Sequence, residues 1–293
     1  MRHALWIALI AVAGLTGAVR PAFAEPRVLL VGDSWAEEMW EDGSHQRVFD
    51  DAGLTEFVVD GAETTESGST AAEWAQDDWL GVLTGVLADR PEIEVVQLTA
   101  GGNDFLETWN TDFSDAETEA LKDQIRADLT TVTDHLLGQD PELEILLSFY
   151  DYPNFVDTLG GLIGLFFCSP LHASLGEPDP EQINEAALEF ESIYAGLAAD
   201  HPAIHFSSHF GLMQANFGFP DEGIPPGQIN PPGHVELPSP PQAMRDRPGL
   251  GLDCFHLSPG GYDLMVQNLV DSFYRAHFLG EAIFRDRFEA AEG

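Results

Sequence analysis

The sequence predicts an α/β protein, a three-layer α/β/α sandwich on a mostly parallel sheet of about five strands. Short apolar runs rich in Val, Ile and Leu recur along the chain, and longer helical patterns separate them. Turn and cap residues stand at the switches between the two. Strands that alternate with helices pair in parallel and carry helices on both faces.

The first strand is Val28–Val31, ended by Gly32 where the backbone turns into Asp33-Ser34-Trp35. Asp33 or Ser34 can cap the helix that follows over Trp35–Ala52, with Gly43-Ser44 as an interruption and Gly53 as its stop. Glu56–Asp60 is a second strand, and the polar run Gly61–Thr70 a loop ending in a cap. The helix over Ala71–Ala88 places Trp74, Leu80, Leu83 and Leu87 at helical spacing. A third strand, Glu94–Leu98, runs into Gly101-Gly102-Asn103-Asp104. The helix Asp115–Leu137 opens with a Ser114/Glu117 capping box. Glu144–Phe149 and Ala203–Phe206 are the fourth and fifth strands, with a helix over Glu181–Ala199 between them. Pro259–Phe278 is the last helix, Pro259 sitting where a first turn favours proline.

Two stretches break the rhythm. Residues 151–180 contain the apolar run Leu159–Phe167, too short to span a membrane. Residues 210–252 hold nine prolines between Pro220 and Pro248. They are read as insertions in one domain covering 25–293.

Residues 1–24 read as a signal peptide. Met1-Arg2-His3 is a positive start, Ala4–Val19 an apolar run, and Ala22-Phe23-Ala24 a small-x-small cleavage pattern. Arg20 arrives too early for a spanning helix. The expected mature chain begins at Glu25, exported to the periplasm or medium. Cys168 and Cys254 are an even pair in such a chain, which favours a disulfide over two buried thiols. On the chain-entropy account it contributes on the order of 4 kcal/mol.

The 293 residues suffice for one sizeable core, and 44% hydrophobic content fits a packed protein. Fifty acidic residues face twelve basic ones, a formal charge of −38, and Lys122 is the sole lysine. Self-repulsion of this size disfavours nucleic acid and anionic membranes as partners. It fits a salt-adapted host, in which the repulsion is screened, or an ordinary acidic exported protein. The oligomeric state is not legible.

In parallel α/β sheets the site lies beyond the carboxyl ends of the strands, where Ser34 and Asn103 both fall. Near the C-terminus stands Asp253-Cys254-Phe255-His256, read as a loop ahead of the last helix. A carboxylate three residues before a histidine can fold back onto the ring and fix its tautomer, leaving the other nitrogen for a serine. Glycine-turn N–H groups and an asparagine amide suit a developing oxyanion.

These blocks resemble the SGNH (GDSL) hydrolases, a family named for a serine, a glycine, an asparagine and a histidine. Gly32-Asp33-Ser34 matches the first block, with Trp35 where leucine is usual, and Gly101-x-Asn103-Asp104 and Asp253-x-x-His256 match the third and last. Gly68 is taken for the second, with Gly61 as its alternative. The resemblance implies Ser34 as nucleophile, His256 as base and Asp253 as its orienting acid. It further implies an oxyanion hole from the Ser34 and Gly68 N–H groups and the Asn103 side chain. The implied reaction is ester hydrolysis through an acyl-enzyme, on a small-molecule, lipid or glycan ester, without metal or organic cofactor. An acyltransferase and a catalytically silent binding module are the other readings. His205 and His209, four apart, are a weaker metal-ligand pair because their segment reads as strand and loop. Trp35 and Trp109 either line a pocket or pack in the core.

Overall fold

The strand β1 (Pro26–Gly32) lies in the interior of the sheet, with both its faces apolar. Val28 and Leu30 point into one hydrophobic layer, Leu29 and Val31 into the other. A computed structural model describes residues 25–280. The signal segment expected at 1–24 lies outside them, as do residues 281–293.

After β1 come α1 (Ser34–Glu41), α2 (Ser44–Asp51) and β2 (Val58–Asp60). Gly43, in the left-handed region at φ 66°, separates the two helices where the sequence allowed an interruption. The predicted helix over Ala71–Ala88 is two pieces, α3 (Ala71–Trp74) and α4 (Asp77–Asp89). A Thr70/Glu73 capping box opens α3, and Asp77-Asp78 supply acidic charge to the first turn of α4. Next are β3 (Val95–Thr99), α5 (Gly102–Thr108), α6 (Asp115–Gln139) and β4 (Glu144–Ser148). The predicted Ser114/Glu117 box caps α6, whereas the short α5 was not foreseen.

Residues 151–180 hold α7 (Gly161–Ile163), a π turn over Gly164–Cys168 and α8 (Ser169–Ser174). The chain then runs through α9 (Pro180–Asp200), β5 (Ile204–Ser207) and α10 (Leu212–Phe217). A hairpin, β6 (Met244–Arg247) with β7 (Gly251–Leu257), precedes α11 (Pro259–Leu269), which continues through a π turn at Val270–Tyr274. The 210–252 stretch therefore contains a helix and a strand.

The five main strands are all parallel, in the order β2-β1-β3-β4-β5. The packing of α4, α6 and α9 covers one face, and that of α1, α2 and α11 the other. This is the expected three-layer sandwich. The antiparallel β6–β7 hairpin stands apart from the main sheet. It corrects one expectation, because Asp253 and His256 lie on a strand and not in a loop. The Cys168–Cys254 disulfide forms and ties the π turn to β7. Among the described residues no helix is long and apolar enough to cross a membrane.

Two buried histidines lie on the face covered by α1, α2 and α11. His45 donates from Nε2 to Gln97 Oε1 at 2.8 Å, and that oxygen also accepts from the Tyr274 hydroxyl. His209 donates to Ser148 Oγ at 3.0 Å while its Nδ1 accepts from Asn268 Nδ2 at 3.1 Å. Burial pulls His45 down to about 4 and His209 to about 3. Both folded values lie below that of a free imidazole. Their contribution is therefore complete above pH ~6.5, and each forfeits about 1.4 kcal/mol per pH unit as the unfolded chain takes up protons below it. Urea unfolding followed from pH 7 to pH 4.5 should show a shallower pH slope in His209→Gln than in the native chain. Equal slopes would exclude this account.

Candidate active site

Ser34 is the first residue of α1, at a corner where β1 must turn within one residue. Gly32 has φ 142°, and a Cβ there would stand 1.8 Å from the Thr99 carbonyl oxygen. Only glycine lets the two strand ends approach so closely. Asp33 then caps α1, its Oδ1 accepting from the Trp35 N–H at 3.0 Å. The Ser34 N–H belongs to the leading turn, whose N–H groups lack intrahelical acceptors.

His256 reaches this corner from β7. Its Nε2 lies 2.8 Å from Ser34 Oγ and its Nδ1 2.9 Å from Asp253 Oδ2. In the neutral tautomer Nδ1–H donates to the carboxylate and Nε2 accepts the serine hydroxyl. Asp253 Oδ1 also accepts from the Phe255 and His256 N–H groups, so the carboxylate is clamped by its own strand. Burial alone would raise Asp253. The His256 hydrogen bond and charge, with those N–H groups, instead hold it far below the usual carboxylate range. Burial likewise pulls His256 down, but Asp253 and then Glu38 outweigh it and leave the imidazole above its ordinary value.

Gly68 and Asn103 line the same cavity as Ser34 and His256. Gly68, at φ 80°, is open on its Cα side, whereas a Cβ on Gly61 would press on Trp40, Leu30 and Thr65. Of the two glycines, only Gly68 lines the cavity with Ser34. Asn103 Nδ2 donates one hydrogen to the Ser69 carbonyl at 2.9 Å and retains a second donor. Asp104 braces the same loop, its oxygens accepting from the Ala71 and Ala72 N–H groups at 2.7 and 3.2 Å. Trp35 lines the cavity; Trp109 packs in the core. His205 and His209 point to different partners, Glu144 for the first and Ser148 with Asn268 for the second.

Two contributors escaped the sequence reading. Tyr150 donates to Asp33 Oδ2 at 2.5 Å and accepts from the Gly102 N–H at 3.0 Å, joining the turns after β1 and β3. Arg247, from β6, lies 3.1 Å from Asp253 Oδ2 and also pairs with Glu38 on α1. Arg245 completes the group through Glu38 and Asp42. No spacing signals them: the Tyr150–Asp33 and Arg247–Glu38 partners are far apart in sequence, and Arg247 meets Asp253, six residues on, only across the hairpin.

No family model and no curated protein matches the chain. Among solved structures, a GDSL-like lipase from Bacteroides thetaiotaomicron is similar at 16% identity and a TM-score of 0.48, over 87% of this chain and 93% of that one. A lipopolysaccharide acetyltransferase periplasmic domain from Salmonella ser. Paratyphi A gives 12%, 0.48, 86% and 85%. A carbohydrate acetylesterase family member from Sinorhizobium meliloti gives 15%, 0.47, 83% and 95%. The fold assignment itself rests on the strand order and helical layers described above.

The Arg247 guanidinium opposes protonation of His256, while Asp253 and Glu38 favour it. In Arg247→Gln the imidazole should titrate higher, with Arg245, Glu38, Asp42 and Asp253 still in place. The ascending limb of kcat/KM against pH should move alkaline by about half a unit or more. An unmoved limb would remove Arg247 from the electrostatics of the site.

Proposed function

We propose that the protein is an exported serine ester hydrolase of the SGNH type. The observation that carries this reading is the continuous chain Ser34 Oγ, His256 Nε2, His256 Nδ1, Asp253 Oδ2, with links of 2.8 and 2.9 Å. Ser34 attacks the ester carbonyl as His256 Nε2 takes its proton, and the imidazolium is stabilised by Asp253. The Ser34 and Gly68 N–H groups and the free Asn103 amide hydrogen receive the oxyanion. The imidazolium then protonates the departing alcohol, leaving an acyl-enzyme. Water, deprotonated by the same nitrogen, attacks that acyl group and returns Ser34 to its starting state.

Export is supported by the signal-peptide pattern of residues 1–24 and by the disulfide. A silent binding module would have no need of a serine hydroxyl held against a carboxylate-braced imidazole.

Ser34→Ala should lower turnover of p-nitrophenyl acetate by roughly a thousandfold or more. It should also abolish covalent labelling by a fluorophosphonate probe while leaving the unfolding temperature within a few degrees of native. Undiminished turnover would end the hydrolase reading.

A further inference from the structure

The polar residues described above occupy one end of a cavity of about 470 Å³. From Ser34 and His256 it extends between α5 and α6 on one side and α9 on the other. Its inner walls are apolar, built from Phe105, Ile125, Phe149, Ile183, Phe190 and Phe210. The buried polar groups that border this part are already matched. The Tyr194 hydroxyl donates to the Ala100 carbonyl. Asp151 accepts from the N–H groups of Tyr152, Gly211 and Met213 at 2.7–2.8 Å. Tyr150 is held between Asp33 and Gly102. A sugar ring placed here would lose its hydrogen bonds to water without replacement.

The mouth continues the same character. Phe167 lines the cavity yet is 45% exposed, and Leu165 and Phe166 beside it are 62% and 80% exposed. Cys168, the next residue, is bonded to Cys254 on the strand that carries His256. The apolar shoulder is thus fixed to the catalytic strand.

We propose that this cavity is an acyl-chain site, and that the substrates are esters of medium to long unbranched fatty acids. The chain lies between α6 and α9 with its carbonyl at Ser34, and the alcohol portion faces the mouth. The volume holds roughly fifteen groups the size of a water molecule, so an acetyl group leaves nearly all of it unfilled. Each further methylene transferred from water favours binding by about fourfold. Ala187, small and facing the cavity from α9, is the position where bulk would shorten it. The inference takes the position of the carbonyl from the hydrolase reading, whereas occupancy of the cavity is measurable without turnover.

The test uses the full chain in two forms. With Ser34→Ala, calorimetric titration should show methyl octanoate binding at least a hundredfold more tightly than methyl acetate. Adding Ala187→Trp, or the milder Ala187→Phe, should weaken octanoate binding at least tenfold in a chain whose circular dichroism is native. With Ser34 intact, Ala187→Phe should cut the octanoyl-to-acetyl ratio of kcat/KM at least tenfold. Equal affinity for the two esters in Ser34→Ala, or an unchanged ratio in Ala187→Phe, would overturn the acyl-chain site. Hydrolysis of acetyl esters would then still stand as support for the enzyme. Tight octanoate binding by a chain that hydrolyses no ester would keep the site and remove the hydrolase.

Discussion

The close approach of the ends of β1 and β3 is the constraint on which the site depends. Gly32 lies against the Thr99 carbonyl, which accepts the Asp33 N–H at 2.9 Å. The Gly32 N–H donates to the Thr64 carbonyl and its own carbonyl accepts from Glu66. Three loops, those following β1, β2 and β3, are therefore laced together by backbone bonds, to which the Tyr150, Asn103 and Asp104 side chains add theirs. They carry Ser34, Gly68 and Asn103. A parallel sheet brings such loops to one edge, but only glycine at this crossing allows them to touch. The hydroxyl and the candidate oxyanion donors thus owe their proximity to a residue with no side chain.

The histidine and its acid come from outside that sheet, and a different force holds them. The β6–β7 hairpin meets α1 through a partly buried charge group, Glu38 and Asp42 on the helix against Arg245 and Arg247 on the strand. Asp253 joins it through Arg247. Buried charges persist only when closely matched, and removal of one partner costs far more than the pair contributes. In a chain with twelve basic residues against fifty acidic ones, two of the twelve sit at this seam. The helix that begins with Ser34 is thereby registered against the strand that carries His256 near its end. The disulfide adds a covalent tie from the same strand to the apolar shoulder.

Much of this was legible in the sequence, for identifiable reasons. All five parallel strands and the long helices announce themselves through periodicity and end signals, as at Ser114 and Pro259. Ser34, Asn103, Asp253 and His256 were found because each sits in a short local pattern; the structure brings Ser34, Asn103 and His256 to one cavity, with Asp253 behind the His256 ring. What stayed hidden is non-local. The segment around His256 has the composition of a loop, and becomes a strand only because β6 is there to pair with it. Tyr150, Arg247 and the apolar walls from α5, α6 and α9 act through residues distant in sequence. The break between α3 and α4 was missed because its apolar residues keep helical spacing across it. The competing local signal, the Thr70/Glu73 box, marks only where α3 begins.

The proposed mechanism would form an oxyanion in a protein of formal charge −38, with acids close to the serine. Asp33 is adjacent to Ser34, and Asp104 adjacent to Asn103. Burial disfavours the ionised form of each. Burial pushes Asp33 up to about 7, although the Tyr150 hydroxyl and the Trp35 N–H favour its ionised form. Burial also raises Asp104, against the pull of the Ala71 and Ala72 N–H groups that its oxygens engage. The apolar walls that exclude water thus weaken nearby negative charge. They also strengthen every N–H aimed into the cavity, because fixed dipoles act more strongly where water is absent. The carboxylate that must stay ionised, Asp253, is the one given an imidazole, an arginine and two backbone N–H groups. Burial is common to all three acids, and the partners supplied to each decide which way its titration moves.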